Sequence, residues 1–134
     1  MTRLTRRSFL ALIGVAVAGG AAAAARLLTG GTHEWSGPAR TVATLFDDPE
    51  AARRLGETWL ERRPAENDRE VLLRRLSEAE PGLRRALIAG DVASVRTLAA
   101  RRATHELAAG DLRHLEGWLV APTEARLAAL LAAS

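Results

Sequence analysis

The amino-acid sequence predicts an all-α fold, a small bundle of four to five short helices preceded by a separate N-terminal helix. The first reason is composition: Ala, Leu, Arg and Glu are abundant, aromatic residues make up 4% of the chain and Tyr is absent, which favours helix over strand. The second reason is spacing, because apolar residues recur every three or four positions in segments separated by Gly and Pro. A chain of 134 residues has room for one modest core.

An uncharged run, Leu10–Ala25, follows a basic N-terminus. Where it begins, residues 5–10 read Thr-Arg-Arg-Ser-Phe-Leu. This segment resembles the signal of the twin-arginine (Tat) translocation route, in which a polar residue precedes two arginines, a variable residue, a large apolar one and often Leu. The resemblance rests on Arg6, Arg7, Phe9 and Leu10, and it implies export across a bacterial inner membrane by a translocase that accepts folded proteins. None of the other Arg-Arg pairs precedes an uncharged run of this length.

The predicted signal helix covers residues 1–28. The alanines at 23–25 offer the small-x-small pattern that signal peptidase cuts, so we expect cleavage and a periplasmic or exported product. The alternative is an uncleaved inner-membrane anchor. Leu10–Ala25 falls short of the roughly 20 residues that span a bilayer, yet residues 27–28 would extend it past a snorkelling Arg26.

The net charge of +3 belongs to this leader. Four of the 19 arginines and none of the 16 acids lie in the first 26 residues, so the remainder carries 15 arginines against 16 acids. Nucleic-acid binding needs a basic face, and a nearly neutral body excludes that class of partner by this criterion. The chain has no Cys, which excludes disulfides, Cys-ligated iron–sulfur clusters and c-type haem.

Gly, Ser and Pro are concentrated in residues 29–40, which we interpret as a linker in which Trp35 is an incidental side chain. The helical domain is then expected to span residues 41–134. Its first strong helix start combines Asp48 as cap with Pro in the first turn, and it predicts a helix from Pro49 to Arg62. The apolar stripe of this helix consists of Ala52, Leu55, Trp59 and Leu60.

A capping box predicts the start of the next helix. Asn67 is the expected cap, with Glu70 three residues later. Pro81-Gly82 breaks this helix. Its expected core-facing side chains are Val71, Leu72, Leu76 and Ala79.

A short helical turn, Leu83–Ala89, precedes the longest predicted helix. Asp91 caps that helix, which runs over Val92–Ala109 and is closed by Gly110. Its apolar positions are Val92, Val95, Leu98, Ala99, Ala103 and Leu107. Residues 112–120 are expected to be irregular or weakly β, and a last helix starts near Pro122-Thr123-Glu124 and runs through Leu127, Leu130 and Leu131.

No phosphate loop, dinucleotide fingerprint or nucleophile elbow is present in the sequence. The three histidines lack the spacing of three or four that metal ligands on one helix show, so we expect no cofactor, no metal and no catalytic residue. Asp111, His114 and Glu116 are close in sequence. The alternatives are the carboxylate–imidazole site of a small enzyme and a polar turn after a helix end, and we favour the turn.

The two tryptophans of the predicted domain have different interpretations. Trp59 lies on an apolar stripe and is expected in the core. Trp118 follows Gly117 in a non-helical segment, so it is either a core residue or a partner contact, since Trp is enriched at interface hot spots. Because the chain is poor in aromatics, we expect the core to claim Trp118 first, and we keep it as the candidate partner contact.

The C-terminal quarter resembles the ending of small exported bacterial proteins that carry a twin-arginine signal. A Gly-Trp pair precedes a helix that contains Thr-Glu-Ala-Arg-Leu at residues 123–127. In that group a Ser often caps the helix, whereas Ala121 or Pro122 stands here, which weakens the capping box. The group has no assigned activity, so the resemblance implies export and a helical class but no reaction.

The export route itself indicates a function class. Proteins use it because they fold before transport, around a cofactor or attached to a partner that carries one. Since the sequence shows no cofactor site, we expect a non-catalytic small subunit or escort of a larger periplasmic enzyme, with an oxidoreductase as the first candidate. Small subunits of membrane-bound dehydrogenases are a looser analogy, by size and signal. The alternative is a self-sufficient periplasmic helical module that binds a ligand or tethers something to the membrane.

Overall fold

The structure is a computed structural model that describes residues 34–133. The elements in this range are α1 (Gly37–Ala43), α2 (Pro49–Arg62), α3 (Arg69–Ala79), α4 (Leu83–Ala89), α5 (Val92–Ala108), β1 (Arg113–Leu115), β2 (Trp118–Val120) and α6 (Pro122–Ala132). A single 3₁₀ turn, Pro64–Glu66, links α2 to α3. The predicted helical class is confirmed, with one more helix than expected and a small hairpin in the segment expected to be irregular or weakly β. The predicted signal helix, with Arg6, Arg7, Phe9 and Leu10, lies outside the described residues.

The C-terminal helix α6 is the centre of the bundle. Nine of its eleven residues are buried, because α2 packs along it and α1, α3 and α5 cover its other sides. A helix that is apolar on nearly every side is stable only when it is surrounded in this way. The run of Ala and Leu after Glu124 therefore places the last element of the chain in the middle of the core.

Helices α2 and α6 are in backbone contact at Gly56. A Cβ at this position would lie less than 3.0 Å from backbone atoms of both Ala128 and Ala129. Side chains do not pack at that distance, so the backbones can touch only where α2 has no side chain. Gly56 is therefore a packing requirement inside a helix, where Gly otherwise costs stability.

Two predicted caps are confirmed. The Asp48 carboxylate accepts a hydrogen bond from the backbone N–H of Ala51 at 3.0 Å, and the Asp91 carboxylate accepts one from the backbone N–H of Ser94 at 3.1 Å. Each carboxylate satisfies an N–H group that has no partner within its own helix. The starts of α2 and α5 are where these caps predict them.

The predicted capping box at Asn67 is wrong. Asp68 caps α3, accepting from the N–H of Val71 at 3.0 Å. The reason is the 3₁₀ turn, which Asn67 closes by donating its backbone N–H to the carbonyl oxygen of Pro64, so the helix starts one residue later. Glu70 is then free of the cap and forms an ion pair with Arg84 at 2.9 Å.

The expected linker boundary at residue 40 falls inside α1. Ala39 and Val42 of this helix are fully buried, and Pro occupies its first turn, a position that Pro favours. Trp35 is not an incidental side chain of a tether. It packs partly buried against the core, and its Nε1 donates a hydrogen bond to the carbonyl oxygen of Leu131 at 3.2 Å.

The predicted core faces are confirmed at most positions. The buried members are Ala52, Leu55, Trp59, Leu60, Leu72, Leu76, Val95, Ala99 and Ala103. Two departures matter for the site. Leu107 is 45% exposed although the stripe of α5 predicted it inward, and Glu106 is buried although no prediction placed it there. Leu73 of α3 is also buried without having been predicted.

Candidate functional site

A β-hairpin presents Trp118 at the protein surface. Its strands pair antiparallel with Leu115 opposite Trp118. The two residues between them, Glu116 and Gly117, have φ angles of 47° and 82°, and positive φ at both positions is what a tight two-residue hairpin requires. Trp118 is 45% exposed, so the expectation that the core claims it is wrong.

This hairpin is fixed to the body both beside its turn and at its base. Leu115 and Val120 are fully buried in the core cluster. Arg62, in the last turn of α2, donates a hydrogen bond to the backbone carbonyl oxygen of His114 at 2.8 Å. Trp118 therefore projects from an anchored support, on which its ordering in a complex costs little entropy.

A second large apolar side chain is exposed on the element that leads into the hairpin. Leu107, in the last turn of α5, is 45% exposed. Aromatic anchors at interfaces are typically accompanied by further apolar contacts. Leu107 and Trp118 are thus the apolar residues that the sequence segment 107–118 offers to a partner.

A buried glutamate connects the two ends of the segment that contains the hairpin. Glu106 of α5 accepts hydrogen bonds from the backbone N–H of Thr123 at 3.1 Å and from its hydroxyl at 2.7 Å. Arg102, one turn earlier, donates to the same carboxylate at 3.3 Å. Since the methyl group of Ala121 accepts no hydrogen bond, Glu106 supplies the missing cap of α6 from another helix.

Glu124 completes this arrangement. It is 1% exposed, and one carboxyl oxygen accepts a weak hydrogen bond from the backbone N–H of Ala121 at 3.3 Å, which is half of a capping box. Its other oxygen, Oε1, is buried and has no hydrogen-bond partner among the described residues. We refer to Glu106, Thr123 and Glu124 together as the clasp.

The buried environment of Glu124 shifts its ionisation to near neutral pH. Burial raises the pKa of Glu124 to about 7; the hydrogen bond from Ala121 opposes this shift and the charge of Glu106 adds to it. Near neutral pH the clasp therefore carries either one or two negative charges. Glu124 therefore changes its charge within the pH range found in cells and in their surroundings.

A separate buried carboxylate, Glu66, has a structural role. It accepts hydrogen bonds from Trp59 Nε1 at 2.8 Å and from Arg126 at 3.1 and 3.2 Å, and Arg63 stacks on the Trp59 ring. Burial alone would raise the pKa of Glu66, but these hydrogen bonds and the charges of Arg126 and Arg63 outweigh it and hold the pKa below its usual range. This network joins the 3₁₀ turn to α6, and the predicted core position of Trp59 is confirmed.

The structure does not assemble Asp111, His114 and Glu116 into a site. Asp111 pairs with Arg113 at 2.7 Å, while the His114 and Glu116 side chains are exposed. No group of three or more His, Asp or Glu residues that could hold a metal ion occurs in residues 34–133. The segment expected to be a polar turn after a helix end begins the hairpin, because His114 lies in β1 and Glu116 in the hairpin turn.

Sequence reasoning missed Glu106 and Glu124, although one signal was present. Val95, Ala99 and Ala103 define the buried stripe of α5, and Glu106 continues it three residues later. A charged residue on an otherwise apolar stripe is rarely buried without a partner. That pattern predicts a buried, paired glutamate, but it does not identify the partner, since Thr123 lies beyond the hairpin.

Comparison with protein-family models, curated proteins and solved structures gave no match to this chain. Among the described residues, no helix combines the length and the apolar character needed to cross a bilayer. Function has to be inferred from the site itself.

Proposed function

We propose that this chain is an exported, non-catalytic small subunit or escort of a larger periplasmic enzyme, with an oxidoreductase as the first candidate, and that it docks on this partner through Trp118. The observation that carries the proposal is a Trp side chain, 45% exposed, on a hairpin that is anchored in the core by Leu115 and Val120 and hydrogen-bonded to α2. Trp is enriched among the residues that contribute most to binding at protein interfaces. Leu107 adds apolar area on the adjoining helix.

The leader supports the export part of the proposal. Arg6 and Arg7 stand just before the uncharged run Leu10–Ala25, and the leader carries the positive charge of the chain. A translocase that accepts folded cargo suits a body whose helix α6 is buried at the centre of its core.

The docking proposal is tested by purifying the tagged full chain from its native envelope and identifying what accompanies it. We expect a larger, cofactor-bearing chain, and we expect Trp118→Ala to lose it, with a decrease of at least tenfold in recovery, since hot-spot truncations cost about 2 kcal/mol or more. Ile88→Ala is the matched control, because Ile88 is a large apolar residue, 59% exposed, on α4 and not on the hairpin. Recovery of the chain alone, or equal recovery with Trp118→Ala, would contradict docking through the hairpin.

The export proposal is tested separately, by the distribution of the full chain between cytoplasm and periplasm. Replacing Arg6 and Arg7 by Lys is expected to retain the protein in the cytoplasm. The control is the same double replacement at Arg74 and Arg75, an exposed pair on α3. Unchanged export after the leader replacement would refute the assigned route.

One observation favours the alternative, a self-sufficient helical binding module. An open groove beside α4 is lined by Ser77, Arg85 and Ile88, among others. The exposed Ile88 and the guanidinium group of Arg85 suit an acidic ligand with an apolar portion. The same purification distinguishes the two surfaces, because a ligand bound in this groove would be lost in Ile88→Ala and kept in Trp118→Ala.

A further inference from the structure

The clasp closes the chain segment that carries the candidate docking residue. Glu106 lies before the hairpin and Thr123 after it, and their two hydrogen bonds hold the ends of residues 106–123 together. We propose that the Glu106–Glu124 pair is a proton-operated clasp, which fixes the Trp118 hairpin for partner binding while Glu124 is protonated and loosens it when both carboxyl groups are ionised. The consequence for a partner rests on the proposed function, whereas the clasp itself does not.

With Glu124 neutral, the clasp is electrostatically satisfied. The single negative charge, on Glu106, receives two hydrogen bonds from Thr123 and one from Arg102. The neutral carboxyl of Glu124 accepts the weak hydrogen bond from Ala121. Burial costs a neutral carboxyl much less than it costs a carboxylate.

Ionisation of Glu124 creates a buried charge that the surrounding groups do not compensate. The new charge is 1% exposed, and its Oε1 has no donor in the described part of the chain. It also repels the neighbouring charge of Glu106, whose donors are already engaged. Opening the contact between Glu106 and Thr123 separates the carboxylates and admits water, so ionisation favours the open arrangement.

The charged groups around Glu124 support this direction. Among the described residues, the charge that acts on Glu124 across space is that of Glu106 on α5. Arg102 is the cation on the same side, and it is already paired with Glu106. Arg126, the cation of α6, is paired with Glu66. From α1, α2 and α3, which also pack on α6, no charge contributes to the pKa of Glu124.

The hairpin is the element positioned to move. Its polar tie to the rest of the body is the exposed hydrogen bond from Arg62 to the carbonyl oxygen of His114, and Leu115 and Val120 are its apolar contacts. The core helices α2 and α6 are instead locked by backbone contact at Gly56. Release of the clasp is therefore expected as a local opening of the hairpin, which exposes Leu115 and Val120 while the contact between α2 and α6 is retained.

Amide hydrogen exchange of the full chain tests the clasp without a partner. We compare protection factors, which remove the intrinsic pH dependence of exchange, at pH 5 and pH 8. The pKa of Glu124 is about 7 in the closed state, against an ordinary value of 4.5, so the opening equilibrium should rise about 70-fold between these pH values. Protection of residues 113–120 and of Thr123 should fall by that factor, and these amides should exchange before those of α3.

Glu124→Gln keeps the shape of the side chain and removes its charge, so it should abolish the pH dependence of hairpin protection. Glu61→Gln, which neutralises an exposed acid on α2, should keep the wild-type behaviour. The proposal is overturned by hairpin protection that does not change with pH in the wild type, or by the same change in Glu124→Gln. It is also overturned if the hairpin and α3 exchange together at both pH values, because the clasp would then open only on global unfolding.

A second experiment measures partner binding, in which the complex recovered from the envelope is washed at pH 6 and at pH 8. We expect the wild type to release its partner at pH 8 and Glu124→Gln to hold it at both. Equal retention by the two proteins at pH 8 refutes control of docking by the clasp. If no partner is recovered at all, the proposed function fails, and the exchange experiment still decides the clasp alone.

Discussion

Replacement of Glu124 by Gln is expected to stabilise the protein at alkaline pH. The wild-type carboxyl is buried, and one of its oxygens lacks a donor among the described residues, so its ionisation costs free energy that the neutral amide does not incur. The amide oxygen of Gln can still accept the hydrogen bond from Ala121, and its NH₂ group can donate towards Glu106. The substitution therefore imitates the protonated clasp at every pH.

The sign and size of the effect follow from linkage. An acid whose pKa is higher in the folded than in the unfolded state binds more protons when folded, so the free energy of unfolding falls as pH rises from the unfolded value through the folded one. For Glu124 the window runs from 4.5 to about 7. Between pH 5 and pH 8 the wild type should lose roughly 2 to 3 kcal/mol from this group, since a tenfold change in a protonation equilibrium corresponds to about 1.4 kcal/mol.

Equilibrium unfolding in urea at a series of pH values measures this loss directly. The wild type should become less stable from pH 5 to pH 8, and Glu124→Gln should be nearly level over the same range. At pH 5, where the carboxyl is mostly protonated, the two proteins should differ little. Glu61→Gln is the control for removal of an acid at the surface, and its curve should follow that of the wild type.

Two outcomes would refute this reasoning. A wild type whose stability is level between pH 5 and pH 8 would show that Glu124 titrates near its ordinary pKa and that its burial is relieved in solution. A Glu124→Gln protein that is less stable than the wild type at pH 8 would show that the ionised carboxylate stabilises the start of α6. Either result would also remove the physical basis of the clasp.

Two further stability predictions concern the core. Gly56→Ala should destabilise the protein by about 2 kcal/mol, because the added methyl group meets the backbone of Ala128 and overpacking outweighs the gain in helix propensity. The melting temperature in thermal unfolding should be lower by roughly 10 °C. A variant as stable as the wild type would mean that α2 and α6 do not touch there. Glu66→Ala should lower the free energy of unfolding in urea by about 3 kcal/mol, because it leaves Arg126 and the Trp59 N–H without their acceptor. A decrease below about 1 kcal/mol would show that water replaces the carboxylate.

The features that sequence predicted correctly are governed by local chemistry. Asp48 and Asp91 cap helices through N–H groups three residues away, so the donor and acceptor are both readable in the same few residues. The end of α5 at Gly110, which has a φ of 71°, is local in the same sense. Even the error at Asn67 was one residue in size, caused by a 3₁₀ turn whose length depends on how the chain packs after Pro64.

The features that sequence missed depend on contacts between distant segments. The packing of Trp35 against Leu131 joins residues at opposite ends of the described chain, and the Gly and Pro around Trp35 gave a linker interpretation instead. The exposure of Trp118 could not be read from its hydrophobicity, because which Trp enters the core depends on how the hairpin lies on the body. Trp59 was predictable since its stripe continues over several turns of α2.

The cap of α6 shows how a local deficit becomes a long-range connection. A hydroxyl or carboxylate at residue 121 would have accepted a hydrogen bond from the first N–H groups of α6. No acceptor from α5 would then have been needed there. With Ala121 in that place, the donors of Thr123 are satisfied by Glu106, seventeen residues earlier. The start of the central helix, the end of α5 and the hairpin between them are consequently held by the same buried carboxylate. Ionisation of the adjacent Glu124 therefore acts on all three elements at once, and by this connection the protonation of one carboxyl group controls the hairpin that carries Trp118.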